Sequence, residues 1–87
     1  MKIVFTKHAE LDKFPQLERL GWKISKRKIT NTIKHPKWRG VSRFGQETAM
    51  SLVDNNHILR VILNKEDDII TVVTFHIARR GTYESTI

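Results

Sequence analysis

The sequence contains no cysteine. That excludes a disulfide framework and a thiolate metal site, and it suits a reducing compartment such as the cytoplasm. Glycine occurs only four times and proline twice, so the chain is neither collagen-like nor a low-complexity linker. No apolar run approaches the roughly 18 residues that a membrane-spanning helix needs. The opening Met-Lys-Ile-Val-Phe turns polar at once, so no signal peptide and no membrane partner are expected. The four histidines show neither His-x-His nor His-Glu-x-x-His spacing, and no metal is expected. Glycine-rich phosphate loops and Gly-x-Ser-x-Gly are absent too, so no nucleotide cofactor or serine hydrolysis is expected.

Acids are also scarce. Nine Asp and Glu face sixteen Lys and Arg, for a net charge of +7 over 87 residues. The excess is uneven. Residues 1–43 hold twelve bases and three acids, or +9, whereas residues 44–87 hold four bases and six acids, or −2. A basic half beside a slightly acidic one points to a polyanion, with nucleic acid as the expected partner. The length fits one domain, 1–87, able to bury about 60–65% of its unfolded surface.

The pattern predicts an α+β fold. A short N-terminal strand and two helices should pack on a curved, mainly antiparallel sheet of about four strands. Residues 2–5 read as the first strand. Thr6 can cap a helix carrying Ala9, Leu11, Phe14, Leu17 and Leu20 on one side. Pro15 interrupts it, so a kink or two short pieces are expected, with Pro15 at the first position of the second. Gly21 should end the element in a left-handed conformation. A second helix should run from about Lys26 to His35, with Ser25 as N-cap, an Ile24–Ile29 staple, Ile29 and Ile33 buried, and Pro36 as the stop. Strands are predicted at 38–44, 46–53, 57–63 and 69–76, with turns at 54–56 and 64–68. The two long strands are apolar on both faces and should be central, with helices over one face and a cleft on the other. The polar tail after Ala78 should lie near the sheet end.

Several residues carry candidate chemistry. Arg60 stands alone in an apolar strand, where a cation must pair with an acid such as Glu47, reach solvent or serve a site. His76, Arg79, Arg80 and Tyr83 crowd the end of the last strand. Two guanidiniums can neutralise a phosphorane-like transition state, histidine can move a proton, and tyrosine can stack or donate. Whether Arg60 and His76 share a face depends on the turn. Pairing Asn64 with Ile69 separates them, and one extra looped residue unites them. His8 sits in the first helical turn, where a neutral imidazole is favoured. Lys26, Arg27 and Lys28 fill the first turn of the second helix, against its dipole, and can cradle a phosphate. Lys37, Trp38, Arg39 and Arg43 add cations around an aromatic ring, a nucleic-acid-binding pattern. Each has a plainer reading as a solvated basic surface, a helix cap or a packing residue.

Certain stretches taken together resemble a family. These are Phe5-Thr6-Lys7-His8-Ala9, Gly21, Ile24-Ser25, Thr32-Ile33-x-x-Pro36 and Leu59-Arg60-Val61-Ile62. The ending Val72-Val73-Thr74-Phe75-x-x-Ala78-Arg79-Arg80-x-x-Tyr83-Glu84 completes the pattern. Nearly the whole chain resembles the domain-of-unknown-function family numbered 4258. That family is placed with RelE- and BrnT-like toxin ribonucleases in the barnase–EndoU–colicin–RelE fold group. The resemblance implies two helices followed by a curved antiparallel sheet, and RNA as substrate. It also implies phosphate stabilisation by Arg60 and one of Arg79 and Arg80, with Tyr83 beside them. His8 matches the start of the family pattern. A toxin of this type implies a cognate antitoxin and a ribosomal site of action. The residues alone also allow a non-catalytic nucleic-acid-binding module, or a protein-interaction domain using an exposed sheet edge.

Overall fold

A computed structural model describes residues 2–83. Glu84, the last residue of the C-terminal pattern, lies outside them. The fold is α+β, with one open five-stranded sheet carrying two helical segments on one face. The strands are β1 (Lys2–Phe5), β2 (Trp38–Val41), β3 (Glu47–Leu52), β4 (His57–Glu66) and β5 (Ile69–Arg79). Their order across the sheet is β1-β5-β4-β3-β2. The β2-to-β5 strands form an antiparallel meander, as the short turns require. The sheet has one strand more than the four expected, because β1 joins it alongside β5 and parallel to it. The helical connection between them allows that crossover.

The N-terminal helical segment is two pieces. A π-helical stretch, His8–Lys13, runs directly into α1 (Phe14–Arg19), and Pro15 stands in the first turn of α1. Its missing N–H is harmless there. The Thr6 side chain accepts from the Ala9 backbone N–H and donates to the Val73 carbonyl, so it caps the segment and ties it to β5. Gly21, at φ +91°, turns the chain after α1. The second helix, α2 (Lys26–Lys34), begins at Ser25, whose hydroxyl accepts from the Lys28 N–H at 3.1 Å. Ile29, Thr32 and Ile33 form its buried stripe. Thr32 donates back to the Lys28 carbonyl and meets the Ser51 hydroxyl at 2.7 Å, which pins α2 to β3.

The core lies between these helices and one face of the sheet. Ala9, Leu17 and Ile29 meet Leu59, Val61, Leu63, Val72 and Phe75. Phe75 is fully buried, with Phe14 at 4.8 Å between ring centroids and Phe5 next beyond it. Alternation then sends Met50, Ile58, Arg60 and His76 to the opposite face. The tail does not stop at the sheet end. Gly81, at φ +90°, reverses it, and residues 80–83 fold back over that second face.

Phe75 is the best probe of this core. Phe75→Ala should cost about 3–5 kcal/mol. Urea denaturation should show a lowered midpoint with an unchanged slope. A loss below about 1 kcal/mol would mean that the aromatic cluster is not what holds the helices to the sheet.

Candidate nucleic-acid interface

The β4–β5 register decides where the chemistry lies. Glu66 pairs with Ile69 and Leu63 with Val72, but Ile62 pairs with Thr74. Val73 is therefore an extra residue, a bulge. Beyond it Arg60 stands opposite His76. The expected turn at 64–68 shrinks to Asp67 and Asp68, with Asp67 at φ +55°. The tight turn and the bulge together select the arrangement that puts Arg60 and His76 on one face. Trp38 pairs with Met50 and Met50 with Arg60, so Trp38, Met50, Arg60 and His76 make one row across four strands.

Arg60 is 9% exposed. The ion pair with Glu47 allowed by the sequence does not form, since Glu47 lies opposite Leu63 on the helix face. No carboxylate among the described residues pairs with Arg60. Its Nη1 instead donates to His76 Nε2 at 3.2 Å. Its Nε is buried with no partner among the described residues. The Tyr83 ring covers the guanidinium, with Cζ 4.1 Å from the ring centroid. Tyr83 also meets the His76 ring edge-on, at 5.5 Å and 85°. A buried cation without an anion is costly, and cation–π contact offsets only part of that cost.

The contact fixes the state of His76. A guanidinium can only donate, so Nε2 must present a lone pair and the imidazole is neutral with its proton on Nδ1. Burial, then the charges of Arg60 and Lys13, lower the His76 pKa to about 4. At neutral pH His76 therefore orients Arg60 as an acceptor and is not an imidazolium that could act as an acid.

Other candidates gather at the margins of this face. Arg80 reaches back to Trp38, with Cζ 5.9 Å from the ring, and Lys37 Nζ is 5.4 Å from the same ring. Arg43 borders a cavity of about 350 Å³ that also involves Val41, Phe44, Arg60, Ile62 and Tyr83. Arg43, Lys37 and Arg80 are all exposed.

The structure separates the remaining candidates from this cluster. Arg79 pairs with His57, whose ring packs on Trp22 at 4.9 Å, so Arg79 belongs to the helix face and Arg80 alone turns to the open one. His8 lies on the helical side and contacts the Asp12 carboxylate at 3.2 Å. Arg39 pairs with Ala49 and shares the helix face with Glu47. Lys26 is paired with Glu10, and Lys28 Nζ donates to the Leu52 carbonyl at 2.9 Å. Lys26 and Arg27 are exposed, but two of the three cations of the expected phosphate cradle at α2 are engaged from within the chain. Phe44 was not among the sequence candidates. Its signal was a large apolar residue beside Gly45 in a turn, which periodicity does not weigh.

Among the described residues no group of His, Asp and Glu is placed to hold a metal. Among the described residues no helix is long and apolar enough to cross a membrane. No family model, no curated protein and no solved structure matches the sequence.

The His76 contact has a pH signature. The unfolded chain protonates His76 near the ordinary value of 6.5, and the folded chain only near 4. Between these values the unfolded state binds more protons, so stability falls as pH drops from about 6.5 toward 4. His76→Gln keeps an acceptor for Arg60 and removes the titration. Urea midpoints at about pH 7 and 4.5 should differ less for this variant than for wild type. An equal difference would mean that folding does not lower the His76 pKa.

Proposed function

We propose that the chain is a metal-independent endoribonuclease of the RelE/BrnT-like kind, working on the face of the sheet opposite the helices. One observation carries the reading. Arg60 is a buried guanidinium with no acid partner among the described residues, presented beside a cavity and held by His76 and Tyr83. A phosphate anion is the ligand that offsets such a charge, by charge-assisted hydrogen bonds. Exposed cations around it, Lys37, Arg43 and Arg80, suit the flanking backbone, and Trp38 offers a stacking surface.

In this reading the substrate's 2′-hydroxyl oxygen attacks its own phosphorus and the P–O5′ bond breaks. The products are a 2′,3′-cyclic phosphate and a 5′-hydroxyl. The proton of the 2′-hydroxyl passes to solvent, and the Tyr83 hydroxyl returns one to the leaving oxygen. Arg60, with Arg80, stabilises the charge on the pentavalent phosphorus. His76 is a positioning residue that accepts from Arg60. An antitoxin protein covering this face, a ribosome-bound message and a cytoplasmic setting belong to the same proposal.

A second reading, RNA binding without cleavage, is favoured by the state of His76. Its lone pair is engaged and its pKa is about 4, so it is no ready acid at neutral pH.

Arg60→Met separates a functional arginine from a structural one. Replacing a buried, poorly paired charge by an apolar chain is often neutral or stabilising. The variant should match wild type in urea stability and lose cleavage by about 100-fold or more. Labelled RNA incubated with EDTA, with and without ribosomes, gives the rates. Binding at low salt with no cleavage establishes the second reading. Neither binding nor cleavage rejects both.

A further inference from the structure

The turn that carries Phe44 is rigidly built. Ser42 is buried, and its hydroxyl accepts from the N–H groups of Phe44 and Gln46 at 3.3 and 3.2 Å. Backbone bonds from Ser42 N to Gln46 O and from Gly45 N to Ser42 O close it at 2.8 and 2.9 Å. Gly45 adopts φ +81°, a conformation that favours glycine. This bracing holds an aromatic ring out in water. Phe44 is 81% exposed and Val41, at the foot of the same turn, is 70% exposed. A lone exposed apolar side chain needs no explanation. Two of them on a braced turn beside a cavity that also holds a buried guanidinium with no acid partner among the described residues do.

Arg60, Ile62, Phe44, Val41 and Tyr83 all border the roughly 350 Å³ space. Arg43, between Ser42 and Phe44, adds a second guanidinium. The chemistry of the walls is specific in kind. Aromatic and aliphatic surface suits a flat, apolar-faced group, and the guanidiniums suit an anion attached to it. A bare phosphate would leave Phe44 and Val41 in water. A nucleotide satisfies both parts at once, because every base has a π-face and carries a phosphate a few ångströms away.

We infer that this cavity is a nucleobase-binding site, in which Phe44 and Tyr83 flank an unpaired base while Arg60 holds a phosphate of the same strand. The inference rests on the RNA reading above and adds to it the residues that read the base. Arg43 assists the phosphate, and Ser42 and Gly45 position Phe44 through the turn.

The test compares two probes on the full chain at low salt: a uridine pentamer and a ribose-phosphate pentamer of equal length without bases. Wild type should bind the uridine pentamer about tenfold more tightly, the scale of one base–aromatic stack. Phe44→Ala, in an exposed turn, should fold normally and bring the two affinities together. Phe44→Trp should restore the difference. Equal affinities in wild type, or a difference that survives Phe44→Ala, would overturn the base site while leaving RNA binding through Arg60 intact. Failure to bind either pentamer would overturn the RNA reading itself.

Discussion

Between Ile62 and Leu63 the pairing of β4 with β5 shifts by one, and Val73 is the residue left over. Without that bulge Arg60 would stand opposite Phe75, and the row of Trp38, Met50, Arg60 and His76 would break at β5. A one-residue slip exchanges the faces of a strand, so this single backbone irregularity puts Phe75 in the core and His76 beside Arg60. The bulge is not left to itself. Thr6 donates to the Val73 carbonyl with its hydroxyl, while its N–H donates to the Val72 carbonyl at 3.1 Å. The same hydroxyl accepts from Ala9 at the start of the helical segment. The end of β1, the first helical turn and the register of the functional face thus meet at one side chain.

The two faces of the sheet solve different problems. The helix face is filled by apolar side chains, and at its edge Lys26 is paired with Glu10. The other face buries a guanidinium against an imidazole and a phenol ring. Those neighbours supply shape and partial charge but no full negative charge. Among the described residues no carboxylate balances that charge, and an anion would. This sharpens what the net charge of +7 means. The +9 of residues 1–43 is largely spread over the helical side, where local acids and carbonyls absorb part of it. The buried cation that lacks an acid among the described residues is Arg60 on β4.

Much of the fold was legible in the sequence because it follows from local rules. The break of the first helix at Pro15, the Ser25 cap, the Ile29–Ile33 stripe and the meander all come from residue chemistry within a few positions. The place of β1 was not legible, since a parallel partner 67 residues away is chosen by tertiary packing. The β4 and β5 strands ran longer than expected, with β5 reaching Arg79 in place of 76, because cross-strand pairing carried the ladder through polar residues, while β2 and β3 are shorter than 38–44 and 46–53. Of the site, Arg60, His76, Arg80 and Tyr83 were legible as outliers in their surroundings, and the structure gathers them. Arg79 and His8, named from a shared strand end and a helix start, lie on the helix side away from that cluster. Arg79 and Arg80 are neighbours, yet strand alternation gives one to each face. Phe44 escaped notice because exposure of an aromatic ring is a property of the turn's hydrogen bonds, which no periodicity encodes.

The state of His76 bears on how such a face could act. Its lone pair and an incoming phosphate compete for the same N–H groups of Arg60. An anion that takes one of them frees Nε2, and its negative charge also opposes the influence of Arg60 and Lys13 that depresses the His76 pKa. Binding of a phosphate at Arg60 and protonation of His76 must therefore favour one another, by linkage. In the empty site His76 is a brace. Beside a bound phosphate it moves toward the protonation state of an acid. The pair thus passes from a structural contact to a proton-bearing one only when an anion is present, which confines any acid chemistry at His76 to the occupied site.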